Sequence, residues 1–262
     1  MHGVRVGTCG WSYQDWSGVF YPKGMPAGEY LSFCAEHYPI VEVDSSFYRS
    51  PTSDMTQRWH DRTPESFGFS LKVPQTITHE KMLLDCGKEV DDFLKAARRL
   101  GSKLLCCLLQ FGYFNKKAFE DVGAFLDRLN SFLTAWPKDV PVAVEIRNKA
   151  WMVPSFVECL RQHGAVWALA DQAWMPTPWY LVNKMDVITG PFAYIRLLGD
   201  REAVDNLTPT LDHIVIDRTD QIQANAQAIK KLSERVQVVG FVNNHFAGYS
   251  PATIQQLLKE LS

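Results

Sequence analysis

Eight short apolar runs constrain this chain more than any other feature. Most end in a polar or charged residue and lead through a loop into a helix-like segment. They lie at residues 4–10, 40–45, 67–73, 103–111, 140–147, 165–170, 192–198 and 236–242. Between them, apolar residues at helical spacing mark 29–38, 54–62, 88–100, 118–134, 154–163 and 219–235, and Ser250-Pro251 opens a last helix. Strands that alternate with helices pair in parallel, because each crossover returns the chain to the same end of the sheet. Eight is the number that closes such a sheet into a barrel. The expected fold class is therefore α/β, a single (β/α)8 TIM-type barrel forming one domain over residues 1–262.

The run at 140–147 shows the pattern most clearly. Val142, Val144 and Ile146 share one parity and Ala143, Glu145 and Arg147 the other, so one face is apolar and the other carries charge at its end. Asn148-Lys149-Ala150-Trp151 reads as a turn, and Pro154 sits where a helix can begin. The run at 40–45 also keeps its acids on one parity. The run at 103–111 is almost wholly apolar, as expected of a parallel strand covered on both faces, and reaches Gln110. Residues 171–180, rich in proline and aromatic side chains, read as a loop.

In barrels of this kind catalytic groups come from the C-terminal ends of several strands. The polar and aromatic residues at those ends form one candidate ring: Trp11, Asp44, Lys72, Gln110, Glu145, Arg147, Asp171, Arg196, Asn243 and Asn244. Charges of both signs in such a mouth must share hydrogen bonds, since an unpaired buried charge is too costly. Glu145 and Asp44 are the candidate general base or acid, assisted by Lys72 and His79. Arg147, Arg196 and Lys72 are suited to hold an anion. Tyr13, Tyr48 and Trp151 join Trp11 as aromatic binding candidates, and His79 and His245 are the loop histidines best placed for proton transfer.

The remaining chemistry is narrowed by what is missing. A net charge of -2 gives no electrostatic footprint for a large polyanion, although a local basic site is compatible with it. No stretch is long and apolar enough to span a bilayer, and the start at Met1-His2-Gly3 reads into the first strand rather than into a signal peptide. The six cysteines form no Cys-x-x-Cys pair. Cys106 and Cys107 should face opposite ways, so reduced thiols and a cytoplasmic address are expected. No His-x-His or His-Glu-x-x-His spacing is present, and Lys72 and Arg196 in the ring oppose a divalent cation, so neither metal nor cofactor is expected. Nucleophile-elbow, phosphate-loop and dinucleotide motifs are absent.

Several stretches together resemble the YecE-like family, a widespread group of proteins of unknown function. They are Gly7-Thr8-Cys9-Gly10-Trp11-Ser12-Tyr13-Gln14-Asp15-Trp16, Val41-Glu42-Val43-Asp44-Ser45-Ser46-Phe47-Tyr48-Arg49 and Phe69-Ser70-Leu71-Lys72-Val73-Pro74, then Glu145-Ile146-Arg147, Tyr194-Ile195-Arg196-Leu197-Leu198-Gly199 and Val242-Asn243-Asn244. The resemblance implies a TIM-type barrel and no particular reaction. It also carries an analogy to endonuclease IV-like barrels, whose metal-binding histidine set is not recognisable here. The leading expectation is an enzyme acting on a small anionic or phosphorylated substrate by acid–base chemistry. Nucleic-acid binding through base-stacking loops, or a non-catalytic ligand-binding barrel, is the alternative. The sequence sets no oligomeric state.

Overall fold

A computed structural model describes residues 2–262; Met1, which the strand reading of the N-terminus included, lies outside the described residues. The strands are β1 Val4–Cys9, β2 Ile40–Val43, β3 Gly68–Lys72, β4 Leu104–Gln110, β5 Val142–Glu145, β6 Val166–Gln172, β7 Phe192–Gly199 and β8 Gln237–Val242. They pair in sequence order and in parallel, and β8 closes onto β1 from Val4↔Val238 to Thr8↔Val242. The expected (β/α)8 barrel is thus the observed one.

Around the barrel run α1 Tyr30–His37, α2 Ser53–Asp61, α3 Gly87–Ala97, α4 Val122–Ala135, α5 Pro154–His163, α6 Pro178–Lys184, α7 Arg201–Asp205, α8 Thr219–Ser233 and α9 Ser250–Leu261. Their starts follow local chemistry. Thr52, Asp121, Thr177 and Asp200 each accept a backbone N–H of the first turn, and Pro154, Pro178 and Pro251 preset the dihedrals there. Gly164 ends α5 in the left-handed region at φ 63°.

Strand parity divides the core in two. Cys9, Ile40, Cys106, Leu108, Ala143 and Phe241 fill the barrel interior, while Val142, Val144, Leu109 and Cys107 turn outward under the helices. Cys106 and Cys107 therefore do face opposite ways, and all six cysteines are free and buried. No helix among the described residues is long and apolar enough to cross a membrane.

Boundaries differ from the sequence reading where a cap or a short element intervenes. The helix expected from 118 begins at Val122 because Asp121 caps it at 2.9 Å from Ala124 N. The stretch 171–180 is not all loop: β6 runs on to Gln172, and α6 begins at Pro178 behind its Thr177 cap. The five residues of α7 are too few to show a helical period in sequence. At the end of β7, Gly199 has φ 67°, and a Cβ there would lie 2.5 Å from the His245 carbonyl oxygen and the Phe246 Cα. Only glycine lets β7 end against the loop after β8, which brings Arg201 and His245 to one rim.

Candidate active site

Arg196, only 1% exposed, organises the mouth of the barrel. Its Nε donates to Glu42 Oε2 at 2.9 Å and its Nη2 to Glu42 Oε1 at 2.5 Å, a two-pronged clasp. Its Nη1 donates to Glu145 Oε2 at 2.5 Å, and Nη2 also reaches Asp44 Oδ1 at 3.3 Å. Outer groups complete the two buried glutamates. Tyr194 Oη donates to Glu42 Oε2 at 2.5 Å and stands 2.7 Å from Ser70 Oγ, and Arg147 Nε donates to Glu145 Oε1 at 3.0 Å. Parity explains the gathering: Glu42, Glu145 and Arg196 follow Ile40, Ala143 and Tyr194 by two residues on strands whose inward positions those define.

The electrostatics separate the three carboxylates. For Glu145 burial alone would favour the neutral acid, but the charges of Arg196 and Arg147 with the Arg196 hydrogen bond outweigh it and hold the group at about 2. For Glu42 burial is likewise overcome by Arg196 and by the Tyr194 hydrogen bond, so its pKa also falls below the usual range. Asp44 goes the other way. Burial first and the charge of Glu42 second push it up to about 6, against the weaker pull of Arg196 and Lys72. Lys72 is lowered, by burial and then by Arg196. Its Nζ stands 3.9 Å from Asp44 Oδ1 and 4.2 Å above the Phe47 ring.

Above this layer opens a cavity of ≈ 420 Å³, lined by Asp44, Lys72, Gln110, Arg147, Arg196 and Asn243 together with Tyr13, Phe47, Tyr48, Gln172, Leu198, Gly199, Arg201 and His245. A cavity of ≈ 390 Å³ on the outer flank, against α5, is less eloquent: its Arg161 and Asp186 are paired with each other at 3.0 Å, away from the strand ends. In the mouth, by contrast, the polar ends of several strands converge on one space.

Of the residues singled out in the sequence, Asp44, Lys72, Gln110, Arg147, Arg196, Asn243, His245, Tyr13 and Tyr48 line this cavity, with Glu145 directly beneath. Five others stand elsewhere. Trp11 packs edge-on against Trp59 at 5.4 Å, and Trp151 is buried on Phe125 at 4.8 Å. Asp171 points outward to Asn225 Nδ2 of α8 at 2.5 Å, because β6 extends past it and parity turns the next residue, Gln172, into the mouth. Asn244 is buried, its Oδ1 accepting the Ser250 N–H at 2.9 Å at the start of α9. His79 is half-buried, bonded to Thr78 Oγ1 at 2.8 Å and edge-on to Phe47 at 5.1 Å; burial, then Lys72, lowers its pKa. Glu42 and Tyr194 were not among the sequence candidates. The signal for each was present: each lies two residues before a chosen one, Tyr194 before Arg196 on the same face of β7 and Glu42 before Asp44, which stands just past the end of β2.

Cys9, Glu42 and Asp44 bring ligand-type atoms within 4.8 Å of one another, the one such group among the described residues. The cation there is already supplied by Arg196, which bonds both carboxylates. The Cys9 thiol is pushed well above its usual range by burial and then by Glu42. These residues fit a guanidinium better than a metal ion.

The comparisons with known proteins agree with this architecture. The chain is 31% identical over 165 residues to the UPF0759 protein YunF of Bacillus subtilis and 27% identical over 146 residues to the UPF0759 protein YecE of Escherichia coli. These matches take in 59% and 55% of this chain. The chain spans about half the length of the curated relatives it matches, 54% and 48%. A crystal structure of a DUF72 family protein from Thermotoga maritima, 26% identical, superposes with a TM-score of 0.77 over 99% of both chains. One from Enterococcus faecalis, 22% identical, gives 0.73 over 98% of this chain and 95% of that one. The family model described as "Protein of unknown function DUF72" matches residues 5–262, and the chain belongs to that family.

Proposed function

We propose that the protein is an enzyme that binds a small anionic substrate in the barrel mouth and moves a proton with Asp44. One observation carries this reading: Asp44 is the carboxylate of the cluster that borders the cavity and keeps unfilled hydrogen-bonding capacity. Glu42 and Glu145 are at most 1% exposed and have both oxygens engaged at 3.0 Å or less. The Asp44 side chain is 27% exposed; its contacts to cations are long, 3.3 Å to Arg196 and 3.9 Å to Lys72, and its other close neighbour is the Glu42 carboxylate. A pKa near 6 places it where one group can both accept and return a proton near neutrality. Glu145, the other candidate base, acts in this reading by orienting Arg196 and Arg147.

The anion is held by Arg147 and Lys72. Arg147 spends its Nε on Glu145 and leaves both Nη nitrogens without a protein acceptor among the described residues; its side chain is 30% exposed to the cavity. Lys72 has no hydrogen-bond acceptor among the described residues either, only the Phe47 ring and the distant Asp44. Two cations with donors to spare favour a ligand with negative charge. Base stacking draws less support. Trp11 and Trp151 are packed against other rings, and the exposed indole of Trp174, at 91%, does not line the cavity.

Titration calorimetry with inorganic phosphate tests the anion site. Arg147→Ala is expected to weaken binding by at least about tenfold, the lower end of what a hydrogen bond to a charged group is worth. Equal affinity in the wild type and the variant would remove Arg147 from the site.

A further inference from the structure

Gln110 ends β4 directly opposite Glu145 of β5 and is only 5% exposed, yet its side-chain amide makes no hydrogen bond to any described residue. Gln110 borders the cavity, and a ligand that displaces water from its amide must supply hydrogen-bond partners in its place. Gln172, from β6, lines the same cavity, and its buried Oε1 also lacks a partner. Asn243 is different. Its Oδ1 is already taken by the His245 backbone N–H at 3.0 Å and ring Nδ1 at 2.9 Å, which leaves only its amide N–H groups for a ligand.

Resting on the anion-binding reading of this mouth, we infer that the substrate is an anionic polyol, a sugar acid or sugar phosphate whose hydroxyls are read by Gln110 and Gln172. An amide offers a donor and an acceptor side by side, and so does a hydroxyl, so two amides suit adjacent hydroxyls on one carbon chain. Sulfate brings no donor for either amide oxygen, and hydrogenphosphate brings only the hydroxyl of the anion itself. A hydrocarbon acid would leave both amides unpaired, the arrangement by which polar sites reject apolar analogues. Tyr13, Phe47 and Tyr48 supply ring faces at the same cavity for the C–H side of a sugar. The charge of the substrate then falls to Arg147 and Lys72, and a C–H or O–H proton near the hydroxyls to Asp44.

Calorimetric titration of the whole chain with ribose 5-phosphate, gluconate, ribose and inorganic phosphate tests this. Ribose 5-phosphate or gluconate is expected to bind at least about tenfold more tightly than phosphate, from two to three added neutral hydrogen bonds, and ribose alone only weakly. Which of the two wins identifies the anion. Gln110→Leu should reduce that advantage to about threefold or less, one hydrogen bond remaining at Gln172, while phosphate affinity stays as it was. Gln172→Leu should do the same and serves if the Gln110 variant does not fold. Equal affinity for phosphate and both polyols, or an advantage that survives both glutamine variants, overturns the inference and leaves the anion site standing. No binding of any of the anions at millimolar concentration overturns both readings.

Discussion

Arg196→Met is expected to destabilise the protein by about 3–5 kcal/mol, because it strands buried carboxylates rather than merely removing a contact. Glu42 would keep only the Tyr194 hydroxyl and Glu145 only Arg147, and both are essentially inaccessible to water. For a chain of this size that corresponds to a fall in Tm of roughly 10–15 °C at neutral pH. The loss should shrink on acidification, since protonating the glutamates removes the unpaired charge. Adding Glu42→Gln and Glu145→Gln to the same variant should recover part of the stability, because a hydrogen-bonded neutral cluster avoids the desolvation of ions. Thermal unfolding followed by circular dichroism between pH 4 and pH 8 checks both statements. A single variant melting within a few degrees of the wild type would mean that water reaches the cluster.

The second large effect belongs to Asp44→Asn, which should reduce turnover by about 10²–10⁴-fold on the proper substrate, the usual contribution of a positioned acid or base. Its effect on stability has the opposite sign to that of Arg196→Met. The folded pKa of Asp44, about 6, lies above the value of 3.8 for a free aspartate. The folded state thus binds the proton more tightly than the unfolded state. Asp44 supports the fold at acid pH, and that support is lost as pH rises from about 4 to 6. Asparagine should therefore leave the protein more stable than the wild type above pH 6, by on the order of 1–3 kcal/mol, with the difference fading below pH 4.

Glu145→Gln should behave in reverse. That carboxylate sits at about 2 in the folded chain against 4.5 free. Its stabilising contribution is complete above pH 4.5 and is lost as pH falls toward 2, so the glutamine variant is the less stable one at neutrality. Melting curves of the two variants across pH 3–8 should diverge in sign at pH 7. If Glu145→Gln alone abolished turnover without loss of stability, Asp44 would give up its role to Glu145.

Much of this was legible in the chain itself. Helix and strand periods are local, and each βα unit declares its own inward face, so the barrel and most of the ring followed from counting residues in Val142-Ala143-Val144-Glu145 and its counterparts. Where the local count went wrong, the cause was a strand end. Treating β6 as finished at Ala170 made Asp171 the mouth residue, whereas two more residues of strand send it outward to Asn225 and bring Gln172 in. Trp11 and Trp151 lie next to strand ends in sequence, but aromatic neighbours on other elements, Trp59 and Phe125, hold Trp11 against the core and Trp151 within it.

The amino-acid sequence by itself determined the eightfold βα rhythm, the closed barrel, the inward parity of the acids and bases, and the membership of a family. Only the tertiary structure decided what those charges do to one another. Arg196 and Glu42 are 154 positions apart, and nothing local says that the guanidinium grips Glu42 and Glu145 with its best geometry and leaves Asp44 with a long contact. Hydrogen-bond saturation and burial are properties of the closed ring. They turn three carboxylates of similar sequence appearance into two fixed ions and one that can carry a proton.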